Sequence, residues 1–290
     1  MGGYALLRLF TSVMVMALFA PSVMGEIRYG ANVHQAEWKV ESSRLSCSLS
    51  QVIPYYGEAR FVRKAGGKLT FSIHVLNRPR DVGVAKVVST APAWRHDVES
   101  RELGQINYSV SGTPFTYSEI MARRLLLELK QGMFPTFYYQ DWADGRDYVQ
   151  VALSAVNLHT PLGQFLDCLD KQFAHGFDYF RSSRIRFAFN SSELDSAAIK
   201  RLDEIVLYMK SGGTVSRVLL EGRTDNVGFR RYNEALSKKR SAAVRRYLLK
   251  KGVAKSKIIL TTKGETQPLV SNRTPQGRAM NRSVDITLSK

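Results

Sequence analysis

A series of short, different motifs occurs in order through the last hundred residues, and it constrains the fold of this chain more than any other feature. The motifs are Thr224-Asp225-Asn226-Val227-Gly228, Asn233, Leu236-Ser237, Arg240, Gly252-Val253, Gly264-Glu265, Pro268, Asn272 and Asn281-Arg282. The first motif alone is too short to be informative, because Asp-Asn-x-Gly is also a common turn. The ordered series, by contrast, is specific.

The stretches between these motifs alternate between strand and helix patterns. Apolar or alternating runs at 185–189, 215–221, 258–262 and 284–288 predict strands. Asp195 is a suitable N-cap for a helix that continues to Met209, and a longer helix is predicted over 231–250 with Gly252 at its left-handed C-cap. We therefore predict a small α/β sandwich over 181–290, preceded by a linker at 174–184.

The motif series resembles the OmpA-like peptidoglycan-binding domain. The resemblance implies a ligand with an ammonium and a carboxylate on one terminus, the diaminopimelate of a wall stem peptide. It implies that Asp225 binds the ammonium and Arg240 the carboxylate, with substitutions affecting binding and not the fold. Supporting roles are implied for Thr224, Asn233, Asn190, Ser191 and Arg282.

Two alternatives to this site stay open at the level of sequence. Asp225 is also suited to an Asx turn, and Arg240 to a solvated helix face among neighbouring lysines and arginines. The chain also departs from the family pattern twice. Arg223 stands where many relatives have His, and Ser283 replaces the second Arg of the family's Asn-Arg-Arg-Val, so any contact from that position is in doubt.

The first 25 residues have the pattern of a secretory signal peptide. Arg8 is their only charged residue, and an apolar run from Leu9 to Ala20 precedes small residues, so cleavage is predicted between 20 and 26. The run is too short for a membrane anchor, and no later segment has the roughly 20 apolar residues needed to span a bilayer. The sequence thus predicts a periplasmic protein without a transmembrane segment after cleavage.

Positive charge is concentrated in the second predicted domain. Residues 181–290 contain 24 Lys and Arg but only 9 Asp and Glu, and they account for most of the chain's net charge of +17. A basic domain commonly binds nucleic acid. Export excludes nucleic acid as a partner. Two explanations of the positive charge remain: binding to the carboxylates of the cell wall, or a basic face that only aids solubility.

Residues 26–173 are predicted to form a β-rich domain with one or two helices, which makes the whole chain α+β. Gly66-Gly67 lies between two alternating runs and predicts a hairpin. Thr116 to Glu119 matches a capping box, with Ile120 on the buried face of the helix that follows. A second helix is predicted to begin with Thr160 as its N-cap.

The sequence contains two cysteines, Cys47 and Cys168. In an exported protein an even count favours a disulfide, although two buried thiols remain an alternative. No histidine lies at metal-ligand spacing from either cysteine, so a metal site is not expected there.

The sequence contains no enzymatic motif or cofactor-binding motif. The five histidines are scattered, and neither HExxH, GxSxG nor a Gly-rich phosphate loop occurs. The segment that contains Asp141, Asp144 and Asp147 starts with the residue spacing of a calcium-binding loop. Its glycine comes too early, however, and the later residues do not match such a loop. We therefore expect a non-enzymatic protein with no metal and no cofactor.

The layout of the two domains resembles the MotY-like family of accessory proteins of sodium-driven polar flagellar motors. The resemblance rests on the length of the β-rich domain, its cysteine positions, and local features such as Glu37-Trp38 and Trp142. It implies a MotX-like partner, the flagellar basal body and the stator complex as partners besides peptidoglycan. Two alternatives remain, a general envelope-integrity protein with the same wall anchor and a wall-modifying enzyme.

Overall fold

The computed structural model describes residues 25–143, 145 and 147–290. The predicted signal peptide, apart from Gly25, lies outside these residues and stays a prediction. Asp144 of the calcium-like pattern also lies outside them. Within the described residues no helix is both long and apolar enough to cross a bilayer.

The first part of the chain forms ten strands and two helices within the described residues. The strands are β1 (Glu26–Gly30), β2 (Trp38–Ser42), β3 (Ser46–Ile53), β4 (Gly57–Lys64), β5 (Leu69–Val75), β6 (Gly83–Thr90), β7 (Arg101–Tyr108), β8 (Phe115–Ser118), β9 (Phe134–Gln140) and β10 (Tyr148–Ala152). The helices are α1 (Glu119–Lys130) and α2 (His159–Lys171).

These strands form two five-stranded sheets that share one core. One sheet has the order β2-β3-β4-β5-β8 and the other β1-β10-β9-β6-β7. Phe71 of the first sheet stacks on Phe137 of the second with ring centroids 5.9 Å apart, and both side chains are fully buried. Burial of such alternating apolar faces between two sheets is the main stabilising contribution to a β-sandwich.

Three details of the predicted helices are wrong. Thr116 lies in β8 and its hydroxyl donates to the carbonyl of Thr113, so the helix begins at Glu119 with Ser118 as an N-cap that makes no side-chain bond. Ile120 is 85% exposed and not buried. The second helix begins one residue before Thr160, which is therefore not its cap. At the start of α1, the pairing of β8 with β5 prevails over the local capping preference.

The predicted disulfide is confirmed. Cys47 of β3 and Cys168 of α2 are bonded, with their Cα atoms 5.9 Å apart. The bond closes 121 residues of sequence and fastens α2 against the first sheet, so it encloses nearly all of the β-rich part of the chain.

The second part of the chain forms a four-stranded sheet covered by helices. Its elements are α3 (Phe177–Arg181), β11 (Ser182–Arg186), α4 (Ser196–Lys210), β12 (Arg217–Arg223), α5 (Arg230–Lys250), a short 3-10 helix (Lys255–Lys257), β13 (Ile258–Gly264), α6 (Pro275–Asn281) and β14 (Ser283–Ser289). The strand order is β11-β14-β12-β13, and β12 runs parallel to β13. The predicted α+β class is thereby confirmed.

Local sequence signals explain the ends of the helices in this part. The Asp195 side chain accepts a bond of 2.7 Å from the amide of Ala198, as expected of an N-cap. Gly252 ends α5 with a positive φ of 88°, a conformation that favours glycine. Leu202 of α4 and Val244 of α5 are fully buried against the sheet.

The segment that joins the two parts is ordered, and the prediction of a linker over 174–184 is wrong. The segment contains α3 and the start of β11. Just before it, the Phe173 amide donates to the Arg44 carbonyl at 2.9 Å, and a Cβ on Gly66 would lie 2.6 Å from the Gly176 nitrogen. Buried apolar residues form one cluster over 38–168 and another over 180–288. Domain boundaries at 26–173 and 181–290 remain a proposal.

Candidate peptidoglycan-binding site

The turn between β12 and α5 determines the position of Asp225. At the end of β12 the Thr224 amide donates to the carbonyl of Gly264 at 2.9 Å, which ties the chain to β13. Oδ1 of Asp225 then accepts a bond of 3.3 Å from the amide of Val227, so this carboxylate makes an Asx turn. Gly228 follows with a φ of 97° and lets the chain enter α5. The turn uses only one of the two carboxylate oxygens.

The second oxygen of Asp225 is paired with Arg282. Nη1 of Arg282 donates to Oδ2 of Asp225 at 2.9 Å. Asp225 is buried, whereas the side chain of Arg282 keeps 18% of its surface exposed. Arg282 lies directly before β14, beside β12 in the sheet, and this adjacency brings the two residues together. The pair is therefore an ion pair that solvent reaches from the arginine side.

Arg240 lies beneath this pair and is fully buried, at 0% exposure. Its guanidinium donates to three main-chain carbonyls, those of Ser191 at 2.8 Å, Arg223 at 3.1 Å and Ala188 at 3.2 Å. Burial lowers the pKa of Arg240 to about 10; the charge of Asp225 opposes this shift and the charge of Arg282 adds to it. The guanidinium is therefore charged at neutral pH.

These contacts correct one expectation about Arg240. The resemblance implies a residue whose replacement affects binding and leaves the fold unchanged. The structure instead shows an arginine that joins α5 to the end of β12 and to the turn at 188–191. Removing it would delete three hydrogen bonds between elements that are distant in the sequence, so Arg240 also stabilises the fold. The alternative of a solvated helix face for Arg240 is wrong, because its side chain is buried.

The other predicted residues surround the same place. Asn233 is buried and donates to the Val227 carbonyl at 3.2 Å and to Glu265 at 2.5 Å, so it holds the turn after Asp225. Asn190 has a φ of 54° and accepts a hydrogen bond from the hydroxyl of Tyr232. Ser191 contributes its carbonyl to Arg240. Asp225, Arg240 and Arg282 converge, and Asn190 and Ser191 adjoin them through the turn at 188–191.

Arg223 and Ser283, the two departures from the family pattern, form no hydrogen bond or ion pair with the carboxylate of Asp225 among the described residues. Arg223 is buried and donates to Asp285 at 2.6 Å and to the carbonyl of Gln267 at 3.2 Å. Ser283 is fully buried, and its hydroxyl has no hydrogen-bond partner among residues 25–143, 145 and 147–290.

Exposed aromatic side chains border the site, and the sequence patterns did not predict them. Phe229, at the N-cap of α5, is 86% exposed, and Phe189 and Tyr232 are also largely exposed. Each is next in sequence to a motif residue: Phe189 precedes Asn190, Phe229 follows Gly228, and Tyr232 precedes Asn233. This adjacency was the signal available in the sequence. Apolar surface left exposed beside a charged site commonly marks a binding surface.

Two known protein families match this chain, each over a different range of residues. Residues 29–173, half of the chain, match the MotY N-terminal domain family. The chain belongs to that family. Residues 186–282 match the OmpA family, and this range contains every residue of the candidate binding site.

Individual relatives differ in how much of this chain they match. The sodium-type flagellar protein MotY of Vibrio parahaemolyticus is 28% identical over 97% of this chain and 98% of its own length. The peptidoglycan-associated lipoprotein of Pseudomonas putida is 39% identical over 34% of this chain and 59% of its own length. Similarity to the MotY protein therefore extends over both parts of the chain, whereas similarity to the lipoprotein covers about a third.

Solved structures are also similar over about a third of the chain. The peptidoglycan-associated lipoprotein from Burkholderia pseudomallei aligns with 37% of this chain and 89% of that chain, with a TM-score of 0.35 and 29% identity. The C-terminal domain of Helicobacter pylori MotB aligns with 37% of this chain and 84% of that chain, with a TM-score of 0.35 and 19% identity.

Proposed function

We propose that this chain is a non-enzymatic periplasmic component of a sodium-driven polar flagellar motor. In this proposal it anchors a ring around the basal body, and with it the stators, to peptidoglycan. The MotY N-terminal domain match and the similarity to a sodium-type flagellar protein over almost the whole chain support the motor role. The OmpA-family match supports the wall-binding role. A MotX-like protein is the proposed partner of the β-rich part.

The observation that carries the wall-binding proposal is the ion pair between Asp225 and Arg282. A diaminopimelate terminus presents an ammonium and a carboxylate, the same two charges that this pair already joins. We infer that the ligand enters by exchange: its ammonium replaces Arg282 on Oδ2 of Asp225, and the released guanidinium binds the ligand carboxylate. The number of ion pairs rises from one to two, and no buried charge is left unpaired.

Arg240 has a supporting role in this exchange. Three carbonyls hold its guanidinium in place, and its positive charge lies close enough to Asp225 to interact with that carboxylate. The ligand is held without a covalent bond, since two charge-assisted pairs supply both affinity and specificity.

Binding of defined stem peptides to the purified chain tests this proposal. One peptide carries diaminopimelate and the other carries lysine, which has the same ammonium but lacks the terminal carboxylate. We expect the diaminopimelate peptide to bind at least tenfold more tightly, because the lysine peptide leaves Arg282 without its partner. Equal affinities would contradict the carboxylate half of the site.

A matched pair of variants tests the residues. Arg282→Ala should remove the preference for diaminopimelate, whereas Arg246→Ala, an exposed arginine on α5, should leave it unchanged. Cosedimentation with isolated sacculi should likewise be weakened by Arg282→Ala and unchanged by Arg246→Ala. If Arg282→Ala binds both peptides as the parent does, the exchange is wrong.

A further inference from the structure

A cavity of about 500 Å³ opens in the β-rich part of the chain, in the other half of the molecule from the wall-binding site. It lies where the β3–β4 turn, the segment after β5 and the end of β9 meet. Its volume is within the range of sites that bind small molecules or single side chains of a partner. The proposed wall anchor makes no use of it.

Aromatic rings form the wall of this cavity. The rings of Tyr29 and Tyr56 have centroids 5.1 Å apart, and Trp142 stacks on Tyr139 at 4.6 Å. The Tyr139 hydroxyl donates to that of Tyr56 at 2.9 Å, and burial raises the pKa of both tyrosines, so both hydroxyls stay neutral. Nε1 of Trp142 is buried and has no acceptor in the described part of the chain. The wall thus presents aromatic rings together with polar groups.

Tyr55 is held at the mouth in a conformation that costs free energy. Its φ of 62° lies in the left-handed region, which residues other than glycine, asparagine and aspartate seldom adopt, and its side chain is 87% exposed. The turn is fixed on both sides, because the Tyr56 amide donates to Ile53 and the Tyr56 carbonyl accepts from Leu76. A strained residue that presents a large exposed ring is a common feature of binding sites.

Two arginines make the mouth positive. Arg78 and Arg80 line the cavity and are exposed, and neither forms an ion pair with another residue that the structure describes. Asp141 is the acidic residue among those lining the cavity. Tyrosine, tryptophan and arginine are also the residues that contribute most to binding energy at protein interfaces.

We propose that this cavity binds a short acidic segment of a partner protein. An aromatic or aliphatic side chain of the segment inserts against Tyr56 and Trp142, and flanking carboxylates pair with Arg78 and Arg80. The proposal rests on the proposed motor function for the kind of partner, a motor component, and adds the surface and its recognition chemistry.

A set of synthetic peptides tests the chemistry on the purified full chain. Each peptide is acetylated and amidated, and carries one phenylalanine flanked on both sides by glutamate, glutamine or lysine; a fourth has glycine in place of phenylalanine between glutamates. We expect the glutamate-flanked peptide to bind at least tenfold more tightly than the lysine-flanked one at low salt, with a smaller difference at high salt. The glycine peptide should also bind at least tenfold more weakly than its phenylalanine counterpart.

Charge reversal at the mouth supplies the decisive comparison. The double variant Arg78→Glu/Arg80→Glu should invert the ranking, so that the lysine-flanked peptide binds most tightly. The matched control, Arg123→Glu, replaces an exposed arginine of α1 that does not line the cavity and should keep the parental ranking. A ranking unchanged by the double variant would overturn the proposal. Displacement of the peptides by N-acetylglucosamine oligomers would also overturn it, in favour of a glycan ligand.

Cell-based measurements separate this proposal from the motor function on which it rests. The double variant should lose swimming while its sedimentation with sacculi stays at the parental level, since the wall-binding site is untouched. Parental swimming by the double variant would overturn the cavity's role. If deletion of the whole gene leaves swimming unchanged, the motor function fails, and the peptide ranking still decides what the cavity binds.

Discussion

Nη1 of Arg282 and Oδ2 of Asp225 lie 2.9 Å apart, although the two residues are 57 positions apart in the sequence. The relationship arises because β12 and β14 are neighbours in the sheet, with Asp225 just after the first and Arg282 just before the second. The site is consequently a pre-formed ion pair and not two isolated charges. This difference changes what substitutions in the site should do.

Replacing Asp225 by alanine should abolish sedimentation with sacculi and also lower stability. The substitution leaves Arg282 and the buried Arg240 without their negative neighbour, at a cost of about 3–5 kcal/mol for a buried pair and less here because Arg282 is partly exposed. Sedimentation and urea unfolding check the two effects. The control is Asp203→Ala, which removes a partly exposed carboxylate that pairs with Lys251 and accepts from the Tyr247 hydroxyl; it should leave sedimentation unchanged and lower stability less than Asp225→Ala does. Parental sedimentation of Asp225→Ala would show that the site lies elsewhere.

Arg240→Ala should destabilise the second part of the chain strongly. It removes three hydrogen bonds between a charged donor and main-chain carbonyls, and bonds of this kind contribute about 1.5–3 kcal/mol each. The free energy of unfolding measured in urea should therefore fall by several kcal/mol. Arg240→Lys should keep only a part of the stability that Arg240→Ala loses, because an ammonium cannot reproduce the planar fork of a guanidinium. An unchanged midpoint for the alanine variant would mean that these carbonyls find other partners.

Loss of the disulfide should destabilise the β-rich part. In the chain-entropy model, closing a loop of 121 residues contributes about 5 kcal/mol. The double variant Cys47→Ser/Cys168→Ser avoids a leftover thiol and should unfold at markedly lower urea concentration than the oxidised parent. The parent should lose the same stability when a reductant is present, and the double variant should not respond to reductant. A reductant effect of equal size on both proteins would contradict this explanation.

Phe229→Ala should weaken wall binding without affecting the fold. The ring is largely exposed, so its removal costs little stability, whereas an aromatic contact with the ligand would contribute about 0.5–1.5 kcal/mol. The apparent affinity for sacculi should fall about twofold to tenfold. Ile120→Ala, an equally exposed apolar residue on α1, serves as the control and should bind as the parent does. Unchanged affinity in Phe229→Ala would exclude this ring from the binding surface.

The sequence by itself determined the features that depend on nearby residues or on repeated patterns. Hydrophobic periodicity predicted α4, α5 and most strands, because burial on one face of a helix or strand imposes that period. Asp195 as an N-cap and Gly252 as a C-cap were predictable, since each acts on its own helix end. The pairing of Cys47 with Cys168 was predictable because the chain contains only two cysteines.

Tertiary structure alone decided the features that join distant segments. Thr116 has a capping sequence but lies in β8, because pairing with β5 satisfies more backbone groups than one cap. Arg240 could be recognised as a motif residue, yet nothing local shows that its guanidinium meets carbonyls of the turn at 188–191 and of the end of β12. The Asp225–Arg282 pair and the aromatic cavity likewise depend on strand neighbours that only the folded sheets bring together. Sequence patterns report which side of an element is buried, whereas the partner that it meets is set by how the sheets and helices pack.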